Sequence, residues 1–259
     1  MAEVAAAAPA AADLERRFSA LARLYGPAGY ARIRAARVAV VGVGGVGSWV
    51  AEALARSGVA RLVLVDFDNV AESNINRQVQ ALGATVGAAK VDALAERIAD
   101  IHPGCEVRRV EDFATPENWP ALLPAPVDVV VDACDQPRAK LALAAWSLAT
   151  HSPLVCVGAA GGKREPQRVE VADLAEATHD PLLAGMRQRL RKLHGAPRAG
   201  AIGLRCVFSR ESVAAPIGEA CEADGSLSCH GYGSAVTVTA TFGMVAAAEV
   251  LAWCARHPG

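Results

Sequence analysis

The 259-residue chain contains no Cys-x-x-Cys pair, no internal repeat and almost no net charge. Its seven cysteines stand apart at 105, 134, 156, 206, 221, 229 and 254, so a four-cysteine zinc site is not expected. Their odd number, and apolar neighbours such as Val155 and Val157 around Cys156, indicate reduced, mostly buried thiols in a cytoplasmic protein. A formal charge of −1 gives no overall attraction for polyanions, and DNA is not expected as a partner. The opening MAEVAAAAPAAADLERRF has no positive run ahead of its alanines and reads as a flexible tail over 1–11, not a signal peptide.

What is present fits a soluble α/β protein: 53% hydrophobic and 20% charged residues, in a chain long enough for a substantial core. Charge is unevenly spread. Residues 181–210 hold seven basic side chains (Arg187, Arg189, Arg191, Lys192, Arg198, Arg205, Arg210) and no acid, leaving 19 basic against 27 acidic residues elsewhere. A basic segment on an acidic body is a footprint for an anionic partner, with a solvated helix face as the competing assignment. Residues 235–254 are apolar and long enough to span a bilayer. Three threonines, Gly243 and Glu249 favour a packed core helix there, with membrane association as the lesser alternative.

Short apolar runs alternate with helical patterns, the mark of a parallel sheet with right-handed crossovers. Helix 12–24 precedes a turn at Tyr25-Gly26-Pro27 and a short helix. Strands follow at 37–41, 61–65, 106–110, 127–131 and 153–158, with helices at 47–57, 86–101 and 137–150. The expected fold is a doubly wound, mainly parallel Rossmann-like sheet in one domain over 12–259. Beyond Gly162 the pattern predicts strand 167–171, helix 181–194, strand 204–208, a Gly/Ser/Cys-rich loop at 216–233 and helix 235–256. Residues 159–233 read as a substrate-side elaboration with a C-terminal helix behind it.

Gly42, Gly44 and Gly47 form G-x-G-x-x-G directly after a strand and at the start of a helix, with Gly45 and Ser48 in the same turn. Such a turn lets phosphate oxygens approach the backbone, and the helix N-terminus adds N–H donors. Asp66 ends the next strand and suits a ribose. NAD, FAD and ATP would all satisfy this pattern.

The connection DFDNVAESNINRQVQALGATVGAAK, from 66 to 90, narrows the choice. It carries Asp66, Asp68, Asn74, Asn76, Arg77 and Gln78 and ends on Lys90, groups suited to holding phosphates and offsetting charge on a departing pyrophosphate. In VVVDACDQPRAK, Asp132 and Asp135 sit at a strand end and its turn, where carboxylates hold Mg2+ against phosphates. Asp135 can equally cap helix 137–150.

These residues closely resemble the adenylating, ThiF-like superfamily that includes the ubiquitin-, molybdopterin- and thiamine-pathway activating enzymes. The matching motifs are Gly42–Ser48, Asp66/Asp68, Asn74 through Gln78, Lys90, and Asp135 through Arg138 in shorter spacing than the family's acid-to-arginine turn. RLYG at 23–26, EDFATPENW at 111–119, VGAAGG at 157–162, DLAEATHDPL at 173–182, CVFS at 206–209 and VTATFG at 238–243 look like its tRNA threonylcarbamoyladenosine dehydratase branch. That resemblance implies ATP-dependent cyclisation of a threonylcarbamoyl group on tRNA through an acyl-adenylate. ATP and Mg2+ would be the cofactors and Arg77, Lys90 and Asp135 the catalytic groups. It also implies a homodimer, in which Arg23 reaches the neighbouring subunit's ATP. The basic stretch Arg187, Arg189, Arg191 and Lys192 would hold the tRNA. Relatives that pass a thioester or persulfide need a cysteine, for which Cys229, then Cys221, is the candidate, and they would bring a sulfur-transfer partner. Intramolecular ring closure needs no such nucleophile, so Cys229 is expected to be dispensable. His230, beside it, is a weaker candidate base. The rival readings are adenylation of a ubiquitin-like carrier's C-terminus, a dehydrogenase, and an idle scaffold.

Overall fold

Arg37–Val41 (β1) is a run of β-branched and small residues buried on both faces from Val38 to Val41, which places it inside a sheet covered on each side. The computed structural model, which describes residues 12–215 and 232–257, sets β1 between Arg61–Val65 (β2) and Val129–Asp132 (β4), parallel to both. Seven strands form one sheet in the order β3-β2-β1-β4-β5-β7-β6. Glu106–Val110 (β3) is one edge, with its arginines exposed. Leu154–Val157 (β5) and Arg205–Ser209 (β7) continue the parallel order. Val169–Asp173 (β6) is antiparallel and half-buried throughout, as an edge strand should be.

The chain leaves β1 toward β2 and β3 in one direction, then returns to place β4 and β5 on the other side. That reversal opens a crevice at the carboxyl ends of β1 and β4, where Val41 lies opposite both Val65 and Asp132. The glycine turn and the two aspartates of VVVDACD meet there.

Leu14–Phe18 (α1) and Ala20–Ala35 (α2) stand ahead of β1. The expected turn at 25–27 appears as a kink inside α2, with Gly26 at φ 72, ψ 162 and Pro27 restarting the helix, which then runs on to Ala35. Gly47–Arg56 (α3), Lys90–Ile101 (α4), Pro137–Thr150 (α5) and Pro181–Leu193 (α6) are the crossovers and their sequel. α4 starts four residues later than expected from residue 86. Gly83–Thr85 form a single 3-10 turn, and an Asn69–Ala89 bridge holds the segment before Lys90 extended. Pro166–Arg168 form another 3-10 turn, which shifts the strand expected at 167–171 to Val169–Asp173.

Val236–Arg256 (α7) is the one helix among the described residues that is long and apolar enough to cross a membrane, and half of it is buried in the fold. Its Val238, Phe242, Ala246, Ala247, Val250 and Leu251 join β1, β5 and α3 in the larger core cluster. At Gly243 it meets α3 so closely that a Cβ would lie 2.6 Å from that of Trp49. The apolar composition of 235–254 is thus used for packing, and membrane contact through it finds no support.

Candidate active site

Gly42 and Gly47 are required by close backbone approach, whereas Gly44 meets nothing nearer than ordinary contact distance. Gly42 has φ +83, and a Cβ on it would stand 2.9 Å from the Cys134 nitrogen. A Cβ on Gly47 would overlap the Gly42 carbonyl oxygen at 1.8 Å. Gly45 faces the Arg77 stem at 3.4 Å and Thr239 at 3.2 Å, while Gly44 faces the Gln78 amide at 3.9 Å. The turn is therefore floored by the backbone after β4 and walled by the Asn74–Gln78 loop, with α3 starting from it.

Asp66 closes the end of β2. Its Oδ2 accepts from the Val43 N–H at 2.8 Å and its Oδ1 from the Asp68 N–H at 3.0 Å, tying β2 to the glycine turn. Such charge-assisted bonds contribute roughly 1.5–3 kcal/mol each. Burial pushes the Asp66 carboxyl above its ordinary range, against the Lys90 ammonium and the two N–H donors that favour the charge. Lys90 is buried at the first residue of α4, with Nζ 2.7 Å from Asp68 and 3.9 Å from Asp66. Asp68 is half exposed, so this ammonium is held by one movable partner at the rim and one fixed partner inside.

Arg77 is 8% exposed, yet its guanidinium is incompletely used. Nη1 donates to the Ser73 carbonyl at 2.5 Å and to Asn76 Oδ1 at 3.0 Å, leaving Nε and Nη2 without a partner among the described residues. The Arg77 carbonyl accepts from the Trp49 indole N–H at 2.9 Å and from the Thr239 hydroxyl at 3.4 Å, fixing the loop to α3 and α7. Asn74 is buried and accepts from the Ala71 N–H at 3.0 Å, which shapes the 3-10 turn Glu72–Asn74. Gln78 Oε1 accepts from Gln80 Nε2 at 3.2 Å, and Gln80 also donates to the Val43 carbonyl at 2.9 Å. Its own Oε1 is buried with no partner among the described residues. Gln80 and Trp49 carry no motif, Thr239 lies in the VTATFG segment without a role assigned to it, and residue type alone does not distinguish them from ordinary polar and core positions.

The metal assignment needs one correction. Asp132 is fully buried, its Oδ2 is 2.8 Å from Lys140 Nζ, and its Oδ1 accepts from the Cys134 N–H at 3.3 Å and the Cys134 thiol at 3.0 Å. A carboxylate so enclosed and neutralised does not suit an ion. Asp135 is exposed on the turn leading into α5, whose N-cap position is Gln136, and the cap makes no side-chain bond. Among the described residues no three His, Cys, Asp or Glu side chains gather as a metal cluster. Lys140, five residues after Asp135, was missed; that spacing, longer than the one to Arg138, was its only signal.

The other expected residues lie outside this cluster. Arg23 is exposed on α2, away from the glycine turn's hydrogen bonds among the described residues. Arg187 does not face a polyanion freely: it is half-buried and donates to the Leu174 and Ala177 carbonyls at 3.0 and 2.7 Å. Arg191 donates to the Pro197 carbonyl at 3.0 Å, whereas Arg189 and Lys192 are exposed on α6. Cys221, Cys229 and His230 lie outside the described residues.

Comparison with known proteins agrees with this geometry. The ThiF family model matches residues 16–259. A tRNA threonylcarbamoyladenosine dehydratase of Escherichia coli strain K12 is 42% identical over 247 residues, 91% of this chain and 92% of that one. Its namesake from Haemophilus influenzae is 39% identical over 243 residues, 92% of this chain and 93% of that one. The crystal structure of the E. coli tRNA N6-threonylcarbamoyladenosine dehydratase in complex with ATP superposes with a TM-score of 0.85 at 41% identity, covering 94% of this chain and 96% of that one. With a family match over nearly its full length and such relatives along it, the chain belongs to the ThiF family.

Proposed function

We propose that this chain is an ATP-dependent tRNA threonylcarbamoyladenosine dehydratase. The observation that carries the reading is a likeness at about two-fifths identity that covers more than nine-tenths of the chain. A relative named as an adenylyltransferase and sulfurtransferase matches about half of this chain, at 35% identity over 131 residues, which leaves the carrier-adenylating reading the weaker one.

ATP lies with its phosphates over Gly42–Ser48 and its ribose toward Asp66. The free carboxylate of the threonylcarbamoyl group attacks the α-phosphorus, and the bond to the bridging oxygen breaks, releasing pyrophosphate. The Arg77 donors that have no partner among the described residues, and the Lys90 ammonium, face the charge that grows on that leaving group. A lone exposed carboxylate at Asp135 is the donor set expected for Mg2+ held chiefly by phosphate oxygens, and that ion would offset leaving-group charge. A nitrogen of the same nucleoside then attacks the acyl carbon and expels AMP, with net loss of one water. Closure within one molecule supplies the high effective concentration that a protein nucleophile would otherwise replace.

Exposed Arg189 and Lys192 on α6 hold tRNA phosphates in this reading. Arg23, free of its own site, reaches ATP in a second copy of the chain, and the enzyme works in the cytoplasm on tRNA. The test is to incubate purified protein with ATP, Mg2+ and modified tRNA and weigh the nucleoside. Loss of one water, dependent on ATP, supports the reading, and an unchanged nucleoside beside consumed ATP contradicts it.

A further inference from the structure

The buried Asp132–Lys140 pair lies directly beneath the candidate site, although neither side chain can touch a nucleotide. Both side chains are completely buried. Lys140 Nζ reaches the Asp132 carboxylate at 2.8 Å, the Val157 carbonyl at 2.8 Å and the Asp132 carbonyl at 3.4 Å, joining the carboxyl ends of β4 and β5. Cys156 Sγ lies 3.2 Å from Asp132 Oδ2, on the neighbouring strand. The other carboxylate oxygen takes the Cys134 N–H and thiol, fixing the backbone that follows. That backbone is the floor of the glycine turn: Ala133 and Cys134 are the atoms a Cβ on Gly42 would strike, and the Ala133 side chain stands 3.2 Å from a Cβ on Gly47. The Ala133 N–H completes the seam by donating to the Val41 carbonyl at 2.9 Å. The next residue along is Asp135.

The pair is an ionic one. Burial alone would lower the Lys140 ammonium, but the Asp132 carboxylate, then Cys156 and Cys134, more than reverse this and hold it charged well above its ordinary range. A buried ion pair is weak as a source of stability, because desolvation offsets its attraction, and such pairs are attested where one geometry must be selected among several. Here the selected geometry is that of the turn between Asp132 and α5.

We infer that Asp132 and Lys140 are positioning residues, which lock the Ala133–Asp135 turn so that it floors the phosphate-binding glycines and presents Asp135 to the ATP phosphates. The inference rests on the proposed adenylation for its kinetic consequence, but its structural part stands on ATP binding alone. Displacing a catalytic turn by an ångström slows chemistry by about 100-fold while leaving most ground-state contacts in place. Pairwise coupling to Asp135 should follow, because residues acting through one backbone segment are not additive.

The experiment uses the full chain with Asp132→Asn and Lys140→Met together, which removes both charges while keeping volume and an acceptor for Cys134. We expect a folded variant that binds ATP within about threefold of wild type but forms AMP on modified tRNA about 10- to 100-fold more slowly. Adding Asp135→Asn to it should cost far less than the same substitution in wild type. Wild-type AMP formation, or an undiminished Asp135→Asn effect in the paired variant, overturns the inference. If the paired variant does not fold, Asp132→Glu keeps the charge and displaces the carboxylate; slowing of about tenfold or more supports the inference and wild-type speed overturns it. If wild type itself forms no AMP, the enzymatic reading has failed. The inference is then judged by ATP affinity measured with and without Mg2+, whose difference should shrink in the variant, and an unchanged difference overturns it.

Discussion

The Trp49 indole N–H donates to the Arg77 carbonyl oxygen at 2.9 Å, so a half-buried residue of α3 sets where the loop guanidinium stands. Trp49→Phe keeps an aromatic ring against Gly243 but removes that donor. The lost bond should destabilise the protein by about 1 kcal/mol. Adenylation should fall several-fold more than this implies, because Arg77 loses its fixed backbone. Thermal unfolding and single-turnover AMP release, measured on the same preparation, test this: equal, small losses in both would show that Arg77 is held by other contacts.

Gly243 makes the crossing of α7 and α3 possible, since a Cβ there would meet the Trp49 Cβ at 2.6 Å and the Val46 carbonyl at 2.8 Å. Both of those are backbone-near atoms that cannot swing aside. Gly243→Ala should therefore cost about 1–3 kcal/mol by overpacking, even though alanine favours a helix. Because Val46 precedes α3 in the glycine turn, ATP affinity should fall as well. Denaturant unfolding with and without ATP checks both effects. A variant as stable as wild type would mean that the helices separate without cost.

Most of the fold was legible because its signals are local. Four valines or alanines in a row at 38–41, a glycine turn behind them and a helical pattern after that leave little choice, and the strand spans agree to within about two residues. The site was legible in part. Asp66 and Lys90 come together because the loop joining them begins at a strand end and returns to a helix start beside it, and Arg77 in the same loop packs its stem against Gly45 of the glycine turn. Asp132 was misread because a strand end presents successive residues to opposite faces, and the sequence does not say which carboxylate turns inward. Its partner Lys140 carries no signal in the sequence beyond its spacing from Asp135, because only the packing of α5 on β5 brings its ammonium to Asp132 and the Val157 carbonyl. Arg187 was placed with the free basic residues for a similar reason: the Leu174 and Ala177 carbonyls that it braces belong to a turn ten or more residues away.

His102 gives the fold a pH dependence of known sign. It is buried beside Phe18, and its Nε2 faces the Arg34 guanidinium at 2.9 Å, so the ring must be neutral to accept. Burial first, then Arg34, lowers its proton affinity below the ordinary 6.5. The unfolded chain therefore takes up the proton at a higher pH than the folded one. The stabilisation is full above about 6.5 and is lost as pH falls from there toward the folded value. His102→Gln should flatten that part of the stability curve; an unchanged slope would place the proton uptake elsewhere.

Exposed Arg189 and Lys192 should contribute to tRNA binding through phosphates alone. Their joint replacement by glutamate should weaken binding across all tRNA sequences and reduce the steepness of its salt dependence by about two. ATP affinity should not change. Filter binding over a range of salt concentrations checks this, and equal loss of ATP binding would make the segment structural instead.

The central claim is that an acid group of the tRNA attacks the α-phosphorus of ATP at the Gly42–Ser48 turn. Modified tRNA carrying heavy oxygen in its threonylcarbamoyl carboxylate tests it directly, with mass analysis of the released nucleotides after one turnover. The account predicts one labelled oxygen in AMP and none in pyrophosphate. Label in inorganic phosphate with ADP as the co-product, or unlabelled AMP, would contradict it.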